Sequence, residues 1–362
     1  MPPIQIACVV GARPNFIKMA ALVHAIRQRP RFEASLIHTG QHFSPEMSQQ
    51  FFDELGLPAP DRNLGVGAGT QTEQTAEIMR RLEAAFTETR PALVLVVGDV
   101  NSTLAAALVA SKLLLPVAHV EAGLRSRDRT MPEEINRLVT DVLSDYLFAS
   151  EPSGVENLLA EGVPREKVFL VGNVMIDTLL RFREQASRSD ALERLGLEAR
   201  GYALATLHRP SNVDDPEQFG RLLGALREIA RRLPVVFPAH PRTKQRIESF
   251  GLSTEGLRLL PPLGYLDFLH LTAQARLILT DSGGVQEETT ILGVPCLTLR
   301  ENTERPATIT DGTNRLVGVD RERILASTRE ALDEAPGPTR RPDLWDGRAA
   351  ERILDVLEQR LE

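Results

Sequence analysis

Residues 92–120, ALVLVVGDVNSTLAAALVASKLLLPVAHV, read as strand, helix and strand. ALVLVV (92–97) and PVAHV (116–120) are near-continuously apolar, the pattern of strands covered on both faces. Between them, Ser102 to Leu114 keeps helical spacing. A strand, a helix and a second strand at this spacing make a right-handed crossover, the repeating piece of a parallel sheet.

The same alternation extends outward in both directions. IQIACVV (4–10), ASLIHT (34–39), DYLFAS (145–150) and VFLVG (168–172) read as strands. Helical patterns run over Phe16–Arg29, Thr72–Thr89, Glu133–Leu143 and Ser153–Glu161. The series restarts after a helix at 174–186 and the polar stretch SRSD (187–190). YALATLH (202–208), PVVFPAH (234–240), LRLLP (257–261), ARLILTD (275–281) and VPCLTLR (294–300) are the second set of strands. Helices at 215–232, 242–249, 265–274, 284–292 and 321–333 separate or follow them. The restart predicts an α/β chain of two doubly wound domains, residues 1–175 and 176–345, facing each other across a cleft. A Pro-rich loop (335–347) precedes a last amphipathic helix, and the segment 346–362 is expected to pack back on the first domain.

The 362 residues carry 42 Lys+Arg against 49 Asp+Glu, a net charge of −7. That balance lacks the basic footprint with which a protein displaces counterions from nucleic acid. It leaves room for a small anion, because a pocket can be positive on an acidic protein. Cys8 and Cys296 each sit in an apolar run, so no disulfide framework and no metal site of cysteines is expected. The start, MPPIQIACVVGARP, lacks a basic leader segment, and no run approaches the length of a membrane span. The expectation is a cytoplasmic chain without membrane or nucleic-acid partners.

In doubly wound sheets, ligands bind beyond the carboxyl ends of the strands, so the residues there are the candidates. After the first strand comes Gly11-Ala12-Arg13-Pro14-Asn15-Phe16-Ile17-Lys18, a helix start carrying two cations and suited to an anion. The segment is no GxGxxG fingerprint and no P-loop, which disfavours NAD and ATP. Asp99 follows ALVLVV and fits either a helix N-cap or a carboxylate facing a ligand. Glu121 ends PVAHV ahead of Ala-Gly, without an obvious structural duty. Glu133 and Glu134 open the next helix, where acids also suit the helix dipole. Such a set of carboxylates from one sheet edge suits proton transfer. In the second half, His208 and His240 end consecutive strands, each flanked by Arg and Pro, without the spacing of a metal site. LTDSGGVQEE (279–288) runs a strand through Ser282-Gly283-Gly284 into a helix whose free N–H groups suit a diphosphate. Glu288 lies one turn in, placed for a ribose, and Arg305 follows as a further donor.

GARPNFIKMA (11–20), GDVNSTLA (98–105), HVEAGLRS (119–126), PEEINR (132–137), TLHRPSN (206–212), LTDSGGVQEE and TERP (303–306) together resemble the non-hydrolysing UDP-N-acetylglucosamine 2-epimerases. The resemblance spans nearly the whole chain. It implies two Rossmann-like domains in a GT-B-like arrangement and a homodimer acting on a UDP-sugar, with no cofactor and no catalytic metal. It also implies removal of the proton at carbon 2, loss of UDP to leave 2-acetamidoglucal, and re-addition of UDP with protonation from the opposite face. By position, Asp99, Glu121, Glu133 and His208 match the catalytic residues, while Arg13 and Lys18 match residues near sugar and phosphates. Ser282, Gly283 and Gly284 match the diphosphate loop, Glu288 the ribose contact and Arg305 a further substrate ligand. Phe268, placed in a loop after Tyr265, matches a position beside the uracil, which the backbone near Leu263 would hydrogen-bond; His240 joins the substrate-binding set. Each of the three carboxylates fits the role of acid or of base.

Two stretches depart from the family pattern. Many members read GTRPE where this chain has Gly11-Ala12-Arg13-Pro14-Asn15, a variant approached by relatives acting on UDP-2,3-diacetamido-glucuronic acid. Gln41-His42 is followed by Phe43-Ser44-Pro45-Glu46-Met47-Ser48, which is not the pattern of members with a second, activating substrate site. Alternatives to the epimerase are a 2-epimerase of that diacetamido-uronic acid, a hydrolysing relative, a GT-B glycosyltransferase and a non-catalytic nucleotide-sugar sensor.

Overall fold

Seven strands pair side by side: β1 (Ile4–Val10), β2 (Phe32–His38), β3 (Arg62–Asn63), β4 (Leu93–Val97), β5 (Val117–Val120), β6 (Tyr146–Ala149) and β7 (Val168–Leu170). Their order is β3-β2-β1-β4-β5-β6-β7, and every pair is parallel. All of Leu93–Val97 is buried, because helices cover both faces. On one face, Ile78, Leu82 and Phe86 of the helix Gln71–Thr89 and Ala105–Ala107 of the helix Asn101–Lys112 pack on Val94 and Val96. This computed structural model describes residues 2–41, 45–334 and 340–361, with the backbone alone for 45–49.

The second set of strands forms its own parallel sheet: β8 (Ala203–Thr206), β9 (Val235–Pro238), β10 (Leu257–Leu260), β11 (Leu277–Thr280), β12 (Cys296–Thr298) and β13 (Asn314–Leu316). The order is β10-β9-β8-β11-β12-β13. Phe219, Leu222, Leu223 and Leu226 of the helix Pro216–Ala230 fill one face, and Leu271, Val285 and Val294 lie with Leu204 and Ile278 on the other. The chain therefore has two doubly wound α/β units, Met1–Arg181 joined by Asp343–Glu362, and Phe182–Pro342. In each sheet the winding reverses once, between β1 and β4 and between β8 and β11. At such a reversal the helices leave to opposite faces and open a crevice at the strand ends.

The helix Ala349–Arg360 returns to the first unit for electrostatic and packing reasons. Its first two amides donate to the Asp177 carboxylate at 3.1 and 2.7 Å. Arg29 pairs with Asp355 at 2.6 Å and Glu358 at 3.1 Å. Just before it, buried Trp345 donates Nε1–H to the Ser150 carbonyl at 2.9 Å.

Besides four short helical turns, two strands and one longer helix among the described residues escape the sequence reading. The strands Arg62–Asn63 and Asn314–Leu316 are too short and too polar to form an apolar run. The helix Pro45–Glu54 lies where no helix is predicted, and 42–44 of the proposed departure after Gln41 lie outside the described residues. Several strands also end early: β8 stops at Thr206, so His208 stands in the turn beyond it, directly before the helix Pro210–Val213. Among the described residues, no helix is long and apolar enough to cross a membrane.

Candidate active site

The reversal between β1 and β4 gathers the carboxylates of the first unit. Gly98 leaves β4 with φ of 66°, donates its N–H to the Val120 carbonyl at 3.0 Å, and carries Asp99 next. A Cβ built on Gly98 would stand 3.1 Å from Lys18 Nζ and 3.5 Å from Glu121 Oε2, so these two groups lie directly over the turn. Lys18 and Glu121 are ion-paired, each side chain about 6% exposed. Glu121 itself has φ of 73°, a left-handed conformation costly for a residue with a Cβ. Its amide is held by the Phe148 carbonyl at 3.0 Å. Asn15, on the same helix as Lys18, donates to the Val97 carbonyl at 2.8 Å and accepts from the Ala12 amide.

Asp99 does not cap the following helix; Val100 occupies the cap position. Its carboxylate instead meets the buried Arg137 guanidinium at 2.9 Å. Arg137 also pairs with Glu134, whose oxygens accept from the Ser126 and Arg127 amides and the Ser126 hydroxyl. Glu134 is thus spent on holding the 126–127 turn. Glu133, one residue earlier and half-buried, has no hydrogen bond or ion pair among the described residues. The expected cation pair at the helix start is divided: Lys18 is turned inward to Glu121, while Arg13 lies over the Phe51 ring at 4.4 Å. Lys18 is therefore no open anion clamp, because its charge is already matched by a carboxylate.

Beneath this edge runs a network that the sequence reading missed. His119, wholly buried in β5, makes contacts with Asp141 through Nδ1 (2.7 Å) and with the Gly98 carbonyl through Nε2 (2.8 Å). Asp141 also takes the Gly123 amide at 3.1 Å and Arg125 at 2.7 Å, and Arg125 continues to Glu161. Burial alone would raise the Asp141 carboxyl; His119 and Arg125 outweigh it and hold the carboxyl below its ordinary range. A polar residue inside the apolar run VAHV is the signal that could have flagged His119.

In the second unit the reversal lies between β8 and β11, whose ends are tied by Thr206 and Thr280 hydroxyls at 2.6 Å. His208 follows β8 and is half exposed, with Nδ1 2.9 Å from Asp281 Oδ1. Asp281 is fully buried and accepts from the His208 and Arg209 amides and from Asn212 Nδ2. Burial pushes its carboxyl up, but the His208 ring, the Arg209 amide and the Arg209 charge hold it down at about 2. Ser282 then heads the helix Gly283–Leu292 without a side-chain cap, so the first turn keeps its N–H groups for a ligand. A Cβ on Gly283 would meet Arg305 Nη1 at 2.6 Å and Glu304 Oε1 at 2.9 Å, so any larger residue would have to displace that pair. Gly284 is half-buried and Glu288 is buried in the second turn of the helix.

Arg305 is buried and already engaged, donating to Glu287 at 2.7 Å and to Glu304 at 2.5 Å. Glu304 is further met by Arg209 at 3.2 Å and Arg300 at 2.7 Å, a cluster absent from the sequence reading. The remaining candidates lie toward β9 and β10. His240 is exposed and caps the helix Pro241–Ser249, its Nδ1 accepting from the Arg242 amide at 3.3 Å. Leu263 is half-buried on the cluster around Tyr202 and Leu204. Phe268 is not in a loop: it stands in the helix Tyr265–Gln274, its amide bonded to the Gly264 carbonyl and its ring on the same cluster. The helical pattern at 265–274 matches this helix, so only the loop placement is overturned. Among the described residues, no group of His, Cys, Asp and Glu could hold a metal ion.

Comparison with known proteins finds relatives over nearly the whole chain. The family model "UDP-N-acetylglucosamine 2-epimerase" matches residues 24–358. The UDP-N-acetylglucosamine 2-epimerase of Methanocaldococcus jannaschii is 42% identical over 98% of this chain and 99% of its own. A crystal structure of that organism's UDP-GlcNAc 2-epimerase, in complex with UDP-GlcNAc and UDP, matches with a TM-score of 0.93 at 41% identity, covering 98% of this chain and 100% of that one. The UDP-2,3-diacetamido-2,3-dideoxy-D-glucuronate 2-epimerase of Pseudomonas aeruginosa is 43% identical over 98% of this chain and 99% of its own. At 14% identity and a TM-score of 0.59, Phytolacca americana UGT2, complexed with UDP-2fluoro-glucose and pterostilbene, covers 99% of both chains and shares the fold alone. With its two doubly wound units, its strand-end carboxylates and matches of this extent, the chain belongs to the UDP-N-acetylglucosamine 2-epimerase family.

Proposed function

We propose that the chain interconverts UDP-N-acetylglucosamine and UDP-N-acetylmannosamine by eliminating and re-adding UDP with inversion at carbon 2. The observation that carries this reading is the buried Lys18–Glu121 pair over the Gly98–Asp99 turn, in a chain matched throughout by 2-epimerases. One carboxylate of the set Asp99, Glu121 and Glu133 takes the proton from carbon 2. The bond from carbon 1 to the UDP oxygen breaks and leaves 2-acetamidoglucal. UDP then adds back at carbon 1 while another acid delivers a proton to the opposite face of carbon 2. A carboxylate near carbon 1 stabilises the oxocarbenium-like charge that develops there.

The first turn of the helix Gly283–Leu292 offers N–H groups and a positive dipole to the diphosphate as its charge grows. Ser282, Gly283 and Gly284 contact the phosphates, Glu288 the ribose, and Leu263 and Phe268 the uracil side. Arg13, His208, His240 and Arg305 complete the substrate set; Arg305 acts from within its carboxylate cluster. We further assign the enzyme to the cytoplasm as a homodimer. Two free, buried cysteines fit a reducing compartment. Leu114 and Val142, 90% and 76% exposed at the ends of two packed helices, fit a surface covered by a second copy.

The Pseudomonas aeruginosa relative favours a second reading, in which the sugar is UDP-2,3-diacetamido-glucuronic acid. Both readings are tested by incubating each nucleotide sugar in deuterated water and recording NMR spectra. Deuterium at carbon 2 with a new 2-epimer identifies the substrate. If folded enzyme returns UDP-N-acetylglucosamine undeuterated and unchanged, the first reading fails for that sugar.

A further inference from the structure

We propose that Asp281 is a positioning residue that locks His208 in the tautomer with its proton on Nδ1 and leaves the Nε2 lone pair for the substrate. The inference rests on the reading that His208 contacts substrate, and it adds the residue that sets which nitrogen does so.

The argument is one of donors and acceptors. Every group around the Asp281 carboxylate brings an N–H. The His208 amide approaches at 3.0 Å and the Arg209 amide at 3.0 Å, and a backbone amide can only donate. Asn212 Nδ2 approaches at 3.1 Å, and its orientation is fixed because the same Nδ2 donates to the Leu299 carbonyl at 3.0 Å. Asp281 is therefore an acceptor on all sides, with no exposure through which water could reach it. The remaining neighbour, His208 Nδ1 at 2.9 Å from Oδ1, must donate as well. With Nδ1–H so engaged, Nε2 carries the lone pair while the ring is neutral. The imidazole is half exposed, so this nitrogen can serve a substrate group, for example by taking a proton from a hydroxyl.

The other charges in the neighbourhood leave this assignment intact. The Arg209 guanidinium donates Nε–H to the Asp281 carbonyl at 3.2 Å and pairs with Glu304, and its charge adds to the groups that keep the Asp281 carboxyl ionised. Glu304 is in turn balanced by Arg300 and Arg305.

Replacing Asp281 by Asn reverses the arrangement at constant size. Oδ2 of Asp281 faces the Arg209 amide and Asn212, so the Asn oxygen takes that side and its NH₂ turns to His208. Nδ1 must then accept, and the proton moves to Nε2. The test is a ¹H–¹⁵N spectrum of enzyme labelled at histidine, with the His208 signals identified by their loss in His208→Asn. The wild-type enzyme is expected to show the proton on Nδ1, and Asp281→Asn to show it on Nε2. Turnover of Asp281→Asn should fall about 100-fold or more at a KM changed only a few-fold. Asn212→Ala, which removes one donor without offering another to His208, should keep the wild-type tautomer. A wild-type proton on Nε2, or a tautomer unchanged in folded Asp281→Asn, overturns the proposal. Should Asp281→Asn fail to fold, the wild-type and Asn212→Ala spectra still decide it. Full turnover in His208→Asn would instead remove His208 from the mechanism while leaving the tautomer result standing.

Discussion

The ammonium of Lys18 and the carboxylate of Glu121 are paired where almost no solvent reaches either. Glu121 is held there in a left-handed backbone conformation, by its own amide and by the lysine. Removing one partner leaves the other charge buried alone, which costs about 3–5 kcal/mol. Lys18→Met is therefore expected to lower the Tm strongly and to abolish epimerisation. Lys18→Met/Glu121→Gln should recover most of the Tm, since no buried charge is left, and none of the turnover. Thermal melts and a coupled assay on both variants check this, and recovery of activity in the double variant would refute it.

From within β5, His119 ties the helix Pro132–Leu143 to the end of β4, with one ring nitrogen on Asp141 and the other on the carbonyl of Gly98, the residue before Asp99. In His119→Phe the Gly98 carbonyl and Asp141 Oδ1 lose this partner while buried, and Asp141 keeps Arg125 and the Gly123 amide on Oδ2 alone. Stability should fall by about 3 kcal/mol. Asp99 should also lose its fixed placement, so kcat falls while UDP affinity, measured by calorimetry, stays within a few-fold.

The diphosphate loop gives a steric prediction. Ser282→Trp puts bulk at the head of the helix, and Gly283→Ala drives a methyl group against Arg305 and Glu304. Both should weaken UDP at least tenfold, about 1.4 kcal/mol, in a titration with UDP alone. Unchanged affinity in both would move the diphosphate elsewhere.

A pH effect is expected at the C-terminal helix. Burial lifts the Asp177 carboxyl to about 6, against the downward pull of the Ala350 and Ala349 amides that donate to it. The folded chain holds this proton more tightly than the unfolded chain does. The group's contribution to stability is therefore complete below its ordinary range near about 4 and is lost as pH rises through about 6. Asp177→Asn cannot lose a proton. Its Tm relative to wild type should rise between pH 5 and pH 7.5, whatever fixed cost the missing oxygen adds. A constant difference across that range would show that Asp177 does not titrate there.

Much of the fold is legible because periodicity reports burial. ALVLVV has no wet face, and Leu93–Val97 is buried throughout. The short polar strand Asn314–Leu316 carries no such pattern, since its place in the sheet comes from pairing with β12 and not from its own side chains. Of the site, the strand-end residues are legible from their position directly after each apolar run. Their partners are not. His119 looks like one polar letter in a strand, and Asp281 like the lead-in to Ser-Gly-Gly. Phe268 is placed in a loop only by the resemblance; the helical pattern at 265–274 already puts it in the helix where it stands.

The sequence by itself determined the strand–helix alternation, its restart near residue 200, and which chemistry-bearing residues stand at strand ends, all matters of local pattern. Only the tertiary structure decided that β1 lies beside β4 and β8 beside β11. That order carries Lys18 onto Glu121 and His208 onto Asp281. The physical reason is that burial leaves a periodic trace along the chain, whereas a buried charge is satisfied through space by whichever partner the winding of the sheet brings within reach.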